Sequence, residues 1–200
     1  MYTQLQQRGG DRPPVTLTSL AQMRAAHEKI ACLTAYDASF AQLLDAAGVD
    51  VVLAGDSLGM VVQGHDTTVP VTMDQMVYHT AAVSRGLHRA MLMSDLPFMS
   101  YATAEAALRN ATRLMQEGGA RVIKLESSGS QIEIVEFLAR HDIAVCAHLG
   151  LKPQSVHKTG GFRVQGRETD AARRMLADAK ALEEAGADML LLECIPSPLG

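Results

Sequence analysis

The sequence predicts an α/β chain of the (β/α)8 TIM-barrel type, C-terminally truncated to about six strand–helix units. Apolar runs of strand length alternate with stretches of helical period, the pattern of parallel strands joined by crossover helices. Most of the runs are too continuously apolar for a sheet with one wet face. A third observation is an internal echo: Ala47–Asp56, Gly118–Glu126 and Ala185–Glu193 each combine a helix-ending glycine, an apolar strand and a terminal carboxylate. The echo recurs roughly every 70 residues, or two of the ~30-residue units of a ~250-residue eightfold barrel. An open doubly wound sheet would alternate in the same way. It fits less well, because the turn Tyr36-Asp37-Ala38-Ser39 lacks a glycine-rich phosphate fingerprint and no P-loop sequence occurs.

Taken in order, the strands are expected at Ile30–Tyr36, Val49–Ala54, Ala90–Ser94, Arg121–Leu125, Ile143–Ala147 and Asp188–Leu192. After the first, Phe40, Leu43, Leu44 and Ala47 share a helical face, with Asp37 or Ser39 able to cap its start and Gly48 to end it. Thr72 and Gln75 form a candidate capping box for a helix over Met73–Arg85. Leu108, Ala111 and Met115 mark a helix stopped by Gly118–Gly119, and Met175, Leu176, Ala179 and Leu182 one stopped by Gly186. These stripes are read as core contacts.

The 200-residue length suits one domain, with residues 1–16 as a flexible N-terminal segment and 17–200 as a partial barrel catalytic domain. A composition 48% hydrophobic and 20% charged, with net charge -4, excludes a disordered chain and a polycationic nucleic-acid surface. Met1 to Pro14 hold no apolar run of the secretory kind, and no segment approaches the roughly 20 apolar residues of a membrane span. Cys32, Cys146 and Cys194 sit in apolar runs without zinc or redox spacing, and are expected as buried free thiols in a reducing cytosol.

Catalytic groups of barrels come from the C-terminal ends of several strands. Asp37, Asp56, Asp95, Glu126, His148 and Glu193 close the six expected strands in turn. Any one has an ordinary alternative as a helix cap or ion-pair partner, but six in succession do not. Asp56, Asp95 and Glu126 come from adjacent strands and offer only oxygen, which suits Mg²⁺ better than zinc. Lys124, two residues before Glu126, faces the same way. It is read as a clamp on a substrate carboxylate or a Schiff-base amine, with a buried salt bridge as the plain alternative. Glu193 is left free as a general base acting on a carbon acidified by metal chelation of a 2-oxo acid. Long loops are expected at Gly59–Thr72 and Gly150–Arg167; the second, basic and glycine-rich, is a candidate lid over an anion.

The blocks Thr34–Asp37, Gly55–Val61, Pro70–Thr72, Ser94–Phe98, Val122–Glu126, His148–Gln154 and Leu191–Glu193 resemble the ketopantoate hydroxymethyltransferase family from about Leu17 onward. The Gly-Asp-Ser-Leu-Gly-Met block at Gly55–Met60 is its most specific part. The resemblance implies a (β/α)8 barrel that binds Mg²⁺ and transfers a one-carbon unit from 5,10-methylenetetrahydrofolate to 3-methyl-2-oxobutanoate. The product is 2-dehydropantoate, in pantothenate synthesis. Carried over, Asp56, Asp95 and Glu126 are the metal-site carboxylates, some acting through water. Asp56, Ser57, Asp95, Lys124 and His148 are substrate contacts and Glu193 is the base. The family implies a cytoplasmic homo-oligomer, commonly a decamer, with two small-molecule substrates and neither nucleic acid nor membrane as partner. Ending at Gly200, the sequence lacks the family's last two strands, so a fragment or truncated product with open edges at strands one and six is expected. The rivals are another Mg-dependent 2-oxo acid lyase or mutase, a class I aldolase, and a catalytically inactive truncated subunit.

Overall fold

A computed structural model describes residues 13–200 and resolves the alternation into six parallel strands, each hydrogen-bonded to the next in chain order. They are β1 (Cys32–Thr34), β2 (Val51–Ala54), β3 (Met91–Asp95), β4 (Val122–Glu126), β5 (Val145–Gly150) and β6 (Met189–Glu193). An unbroken 1-to-6 order has no point at which the strand sequence reverses, so the doubly wound alternative is excluded. The sheet is an arc of a barrel, with β1 and β6 as its edges. Most of the segment expected to be a loose terminus, residues 1–12, lies outside the described residues. Val15 is already buried, and its N–H donates to the Arg89 carbonyl at 2.8 Å.

Register decides which side chains share a face. Asp95 pairs with Lys124, Lys124 with Cys146, Glu126 with His148, and Gly150 with Glu193. With the period of two along a strand, Met93, Asp95, Lys124, Glu126, Cys146, His148, Leu191 and Glu193 project to one side. Val51, Met91, Met93, Val122 and Cys146 pack there with Val15 and Leu20. That inner cluster is roofed by helix α1 (Leu17–Ala25), opened by Thr16 in a capping box with Ser19. The opposite side of the sheet, including Ile123, Leu125, Val145 and Ala147, packs against the outer helices.

Those helices follow their sequence signals. Helix α2 (Ala38–Ala47) is capped by Asp37, which accepts from the Phe40 N–H, and ends at Gly48 in left-handed geometry. A four-residue helix α3 (Leu58–Val61) follows β2, where an unbroken loop was expected. Helix α4 (Met73–Ser84) has the Thr72–Gln75 capping box. Helix α5 (Ala104–Gln116) buries Ala107, Ala111 and Leu114, spaced on one face; Leu114 alone is worth about 2 kcal/mol of apolar burial. Helix α6 (Ile132–Ala139) was not anticipated. The loop after β5 contains a short α7 (Val156–Thr159), and α8 (Thr169–Glu184) leads to β6. Among the described residues no helix is long and apolar enough to cross a membrane.

Two expectations fail on burial. Of the three free cysteines only Cys146 is buried; Cys32 and Cys194 are exposed, because they sit on or beside the edge strands. The continuously dry strands are the central ones: β3 and β4 are buried throughout, whereas β1 is exposed and β6 alternates between partly buried and exposed.

Candidate active site at the strand ends

At the opposite end of the sheet from the catalytic candidates, three other acids have structural work. Asp45 accepts backbone N–H groups from His88, Arg89 and Ala90, and Asp50 pairs with Arg89 at 2.8 Å while accepting from the Ala31 N–H. Asp188 accepts from the Val145 N–H at 2.9 Å. These partners fix strand starts, and among the described residues Asp50 alone of the three is paired with a cation.

The C-terminal ends of β2 to β4 differ. Asp95 Oδ1 accepts from Lys124 Nζ at 2.5 Å and Asp95 Oδ2 from the Asp56 N–H at 3.1 Å. Gly55 permits this approach, since a Cβ there would stand 2.9 Å from Ser57 Oγ and 3.3 Å from Asp95 Oδ2. Asp56 and Glu126 are 6% exposed, and Lys124 is 7% exposed. Three buried carboxylates thus face one ammonium. Burial, then the charge of Asp95, push Asp56 up to about 7 against the opposing pull of Lys124. Burial pushes Glu126 up to about 7 as well, opposed by the Gln154 N–H and Lys124. Burial works against the Lys124 ammonium, but Asp95 and Asp56 outweigh it and raise its pKa. The salt-bridge alternative for Lys124 is therefore realised. A Schiff-base nucleophile needs the free amine that this pairing suppresses.

His148 is buried, its Nε2 3.3 Å from Glu193 Oε2, and neither ring nitrogen has a hydrogen-bond partner of good geometry. Glu193 keeps 38% of its side chain exposed. Gly150 sets this approach: its φ is +94° and a Cβ would lie 2.1 Å from the Glu193 carbonyl oxygen. Ser57 Oγ shares a hydrogen bond of 2.9 Å with the Tyr36 hydroxyl, and His79 Nδ1 lies 2.8 Å from the Tyr36 carbonyl oxygen. The structure therefore draws Asp56, Asp95, Lys124 and Glu126 into one connected cluster, with His148 beside Glu193 and Ser57 beside Tyr36. Asp37 is not part of it; it caps α2, and β1 delivers Tyr36 instead.

Sequence reasoning missed Tyr36, Tyr101 and Gln154. Gln154 Nε2 donates to Asp56 Oδ2 at 2.7 Å and to the Leu96 carbonyl at 2.9 Å, while Gln154 Oε1 accepts from the Tyr101 hydroxyl at 2.6 Å. Its backbone N–H donates to Glu126 Oε1 at 2.8 Å. Polar residues beyond a strand end carry no periodic signal; Tyr36 and Gln154 fall within the family-like blocks Thr34–Asp37 and His148–Gln154, whereas Tyr101 lies in none. A cavity of about 220 Å³ opens beside Glu126, bordered by Phe98, Tyr101, Lys152 and Gln154. Lys152, from the basic loop expected as a lid, donates to Ser128 Oγ at 2.7 Å.

Among the described residues no three His, Cys, Asp or Glu side chains form a ready-made metal cage. The carboxylates meet as a hydrogen-bonded cluster, with both Asp95 oxygens engaged by protein donors. The donor chemistry nevertheless fits a hard divalent cation. Such an ion uses one or two carboxylates and fills its remaining positions with water and substrate oxygens, and the excess buried negative charge favours it.

Comparison with known proteins gives consistent results. A family model described as ketopantoate hydroxymethyltransferase matches residues 14–200. The 3-methyl-2-oxobutanoate hydroxymethyltransferase of Alkalilimnicola ehrlichii is 65% identical over 100% of this chain and 72% of its own length. That of Nitrosococcus oceani is 61% identical over 93% of this chain and 70% of its own. Among solved structures, a phosphoenolpyruvate phosphomutase from Streptomyces platensis matches with TM-score 0.66 at 15% identity, covering 88% of this chain and 63% of that one. A phosphonopyruvate hydrolase in complex with oxalate and Mg²⁺ matches with TM-score 0.64 at 16% identity, covering 90% and 63%. A 2,3-dimethylmalate lyase of the PEP mutase/isocitrate lyase superfamily matches with TM-score 0.61 at 18% identity, over 88% and 63%. At such identities these structures establish the fold alone, and the chain spans less than two thirds of their length.

Proposed function

This chain belongs to the ketopantoate hydroxymethyltransferase family, and we propose that its strand-end cluster transfers a hydroxymethyl group to 3-methyl-2-oxobutanoate, giving 2-dehydropantoate. The donor in this reading is 5,10-methylenetetrahydrofolate. The observation that carries it is the buried cluster of Asp56, Asp95 and Glu126 around Lys124, with the partly exposed Glu193 against His148.

Asp56, Asp95 and Glu126 would hold Mg²⁺, some through water. When bound, the ion supplies Lewis-acid polarisation of the 2-oxo acid, which acidifies C3. Lys124, kept charged by Asp95 and Asp56, attracts the substrate carboxylate and lowers the negative potential it meets. Ser57, tied to the Tyr36 hydroxyl, offers a further polar contact. Glu193 Oε2, beside His148, removes the C3 proton. The enolate carbon bonds to the methylene carbon as its two C–N bonds to the folate break, water supplies the hydroxyl oxygen, and tetrahydrofolate leaves carrying the C3 proton and one from that water. The basic loop after β5 would close over the anion. We further propose a cytoplasmic homo-oligomer acting on two small molecules, with neither nucleic acid nor membrane as partner.

The test is formation of 2-dehydropantoate from both substrates with Mg²⁺. Faster turnover of a different 2-oxo acid without folate would favour the lyase or mutase reading. Borohydride trapping of substrate on Lys124 would favour the aldolase. A second reading, an inactive partial subunit, is favoured by the exposed apolar side chains Leu33, Leu190 and Leu192 on the edge strands. Turnover by the 200-residue chain would exclude it.

A further inference from the structure

We propose that Gln154 is a positioning residue that presets the carboxylates for a divalent cation and ties the loop after β5 to them. The proposal rests on the divalent-ion reading of the site. Gln154 is 6% exposed, and it reaches the ends of β2, β3 and β4 from its own place after β5. Its amide hydrogens go to Asp56 Oδ2 at 2.7 Å and the Leu96 carbonyl at 2.9 Å, and its amide oxygen accepts from the Tyr101 hydroxyl at 2.6 Å. Both donors and the acceptor of the side chain are therefore used. The reversed amide would aim an oxygen at a carboxylate and at a carbonyl, so the network admits one orientation.

The backbone contributes independently. Gln154 follows Pro153 in the short 3-10 turn Pro153–Ser155. Proline has no N–H, so Gln154 presents the first free donor of that turn, and it goes to Glu126 Oε1 at 2.8 Å. One residue thus occupies one oxygen on each of two carboxylates. Asp56 Oδ1 and Glu126 Oε2 have no protein donor among the described hydrogen bonds, and these are the oxygens left for an ion or its waters. Partners that fix the orientation of metal-binding groups typically change affinity by about 10–100-fold when removed. Because the same residue belongs to the loop, ordering the carboxylates and seating the loop become one event.

The test is calorimetric Mg²⁺ binding to the 200-residue chain, beside variants confirmed as folded by circular dichroism. Gln154→Met keeps the bulk and removes the amide; it should weaken Mg²⁺ binding by about 10–100-fold. Tyr101→Phe removes only the hydroxyl that orients the amide and should weaken binding by about two- to tenfold. The double variant should bind no more weakly than Gln154→Met alone, because the phenol acts through the amide. Hydrogen exchange over residues 152–160 should slow on adding Mg²⁺ to the unsubstituted chain and not to Gln154→Met. Unchanged Mg²⁺ affinity in folded Gln154→Met overturns the positioning role and leaves the ion reading intact. If Gln154→Met does not fold, unchanged affinity in Tyr101→Phe overturns it in the same way. No Mg²⁺ binding by the unsubstituted chain overturns the ion reading and this proposal together.

Discussion

Replacing Lys124 with Met removes what is, among the described residues, the only cation paired with Asp95, Asp56 or Glu126, while keeping most of the stem's packing. Lys124 Nζ stands 2.5 Å from Asp95 Oδ1, with 8% and 4% of the two side chains exposed. At an effective dielectric constant of about 20, Coulomb's law gives roughly 6–7 kcal/mol of gross attraction at that separation. Desolvation of both groups offsets part of this, and truncating one member of a buried pair costs about 3–5 kcal/mol. Asp56 and Glu126 then lose a neighbour that lowers their pKa values, so they take up protons more readily. The cost should therefore be largest near pH 8 and smaller near pH 5.5. The assay is urea unfolding at both pH values, without metal, on Lys124→Met, Asp95→Asn and the double variant. The double variant should cost less than the sum of the singles by about 2–3 kcal/mol. Additivity within about 0.5 kcal/mol, or a loss below about 1 kcal/mol for Lys124→Met at pH 8, would refute the buried pair as the cluster's electrostatic anchor.

The remaining predictions concern the parts that build the site. Folded Asp56 and Glu126 hold protons up to about pH 7, whereas the unfolded chain releases them near pH 4. Between these values the folded state binds more protons, so the metal-free chain should lose stability as pH rises from about 5 to 8, with Mg²⁺ flattening the trend; a melting temperature rising across that range would contradict it. Gly150→Ala, at φ +94° and with its Cβ 2.1 Å from the Glu193 carbonyl, should cost roughly 3 kcal/mol by chemical denaturation; a neutral change would show that β5 and β6 are not so closely apposed. Asp45→Ala strands three backbone donors at the start of β3 and should cost at least about 3 kcal/mol. It should do so without altering Mg²⁺ affinity, which separates the acids at the two ends of the sheet.

The strands and their order were legible because burial on both faces leaves an unbroken apolar run, and because the echo of glycine, strand and carboxylate repeats. Strand ends were harder to place. Asp95, Glu126 and Glu193 were expected just past their strands but are the last residues within them, since the ladder continues as long as a neighbouring backbone offers partners. Asp50 and Asp188 fall inside the expected second and sixth strands and carry no role there, whereas they fasten the starts of neighbouring strands. Asp37 was grouped with the catalytic candidates because a cap and a strand-end acid look alike in one dimension. Tyr36, Tyr101 and Gln154 were missed for the opposite reason: their roles depend on hydrogen bonds between segments as much as 98 residues apart. The burial of Cys32 and Cys194 was misjudged because the composition of a strand does not reveal whether it lies at the edge.

The most direct test follows the C3 proton of 3-methyl-2-oxobutanoate in deuterium oxide by proton magnetic resonance, with Mg²⁺ and without folate. The account predicts Mg²⁺-dependent exchange by the chain and a loss of about 10²–10⁴-fold in Glu193→Gln, with Mg²⁺ affinity little changed. Exchange that persists in Glu193→Gln, or that proceeds equally without a divalent cation, would contradict it.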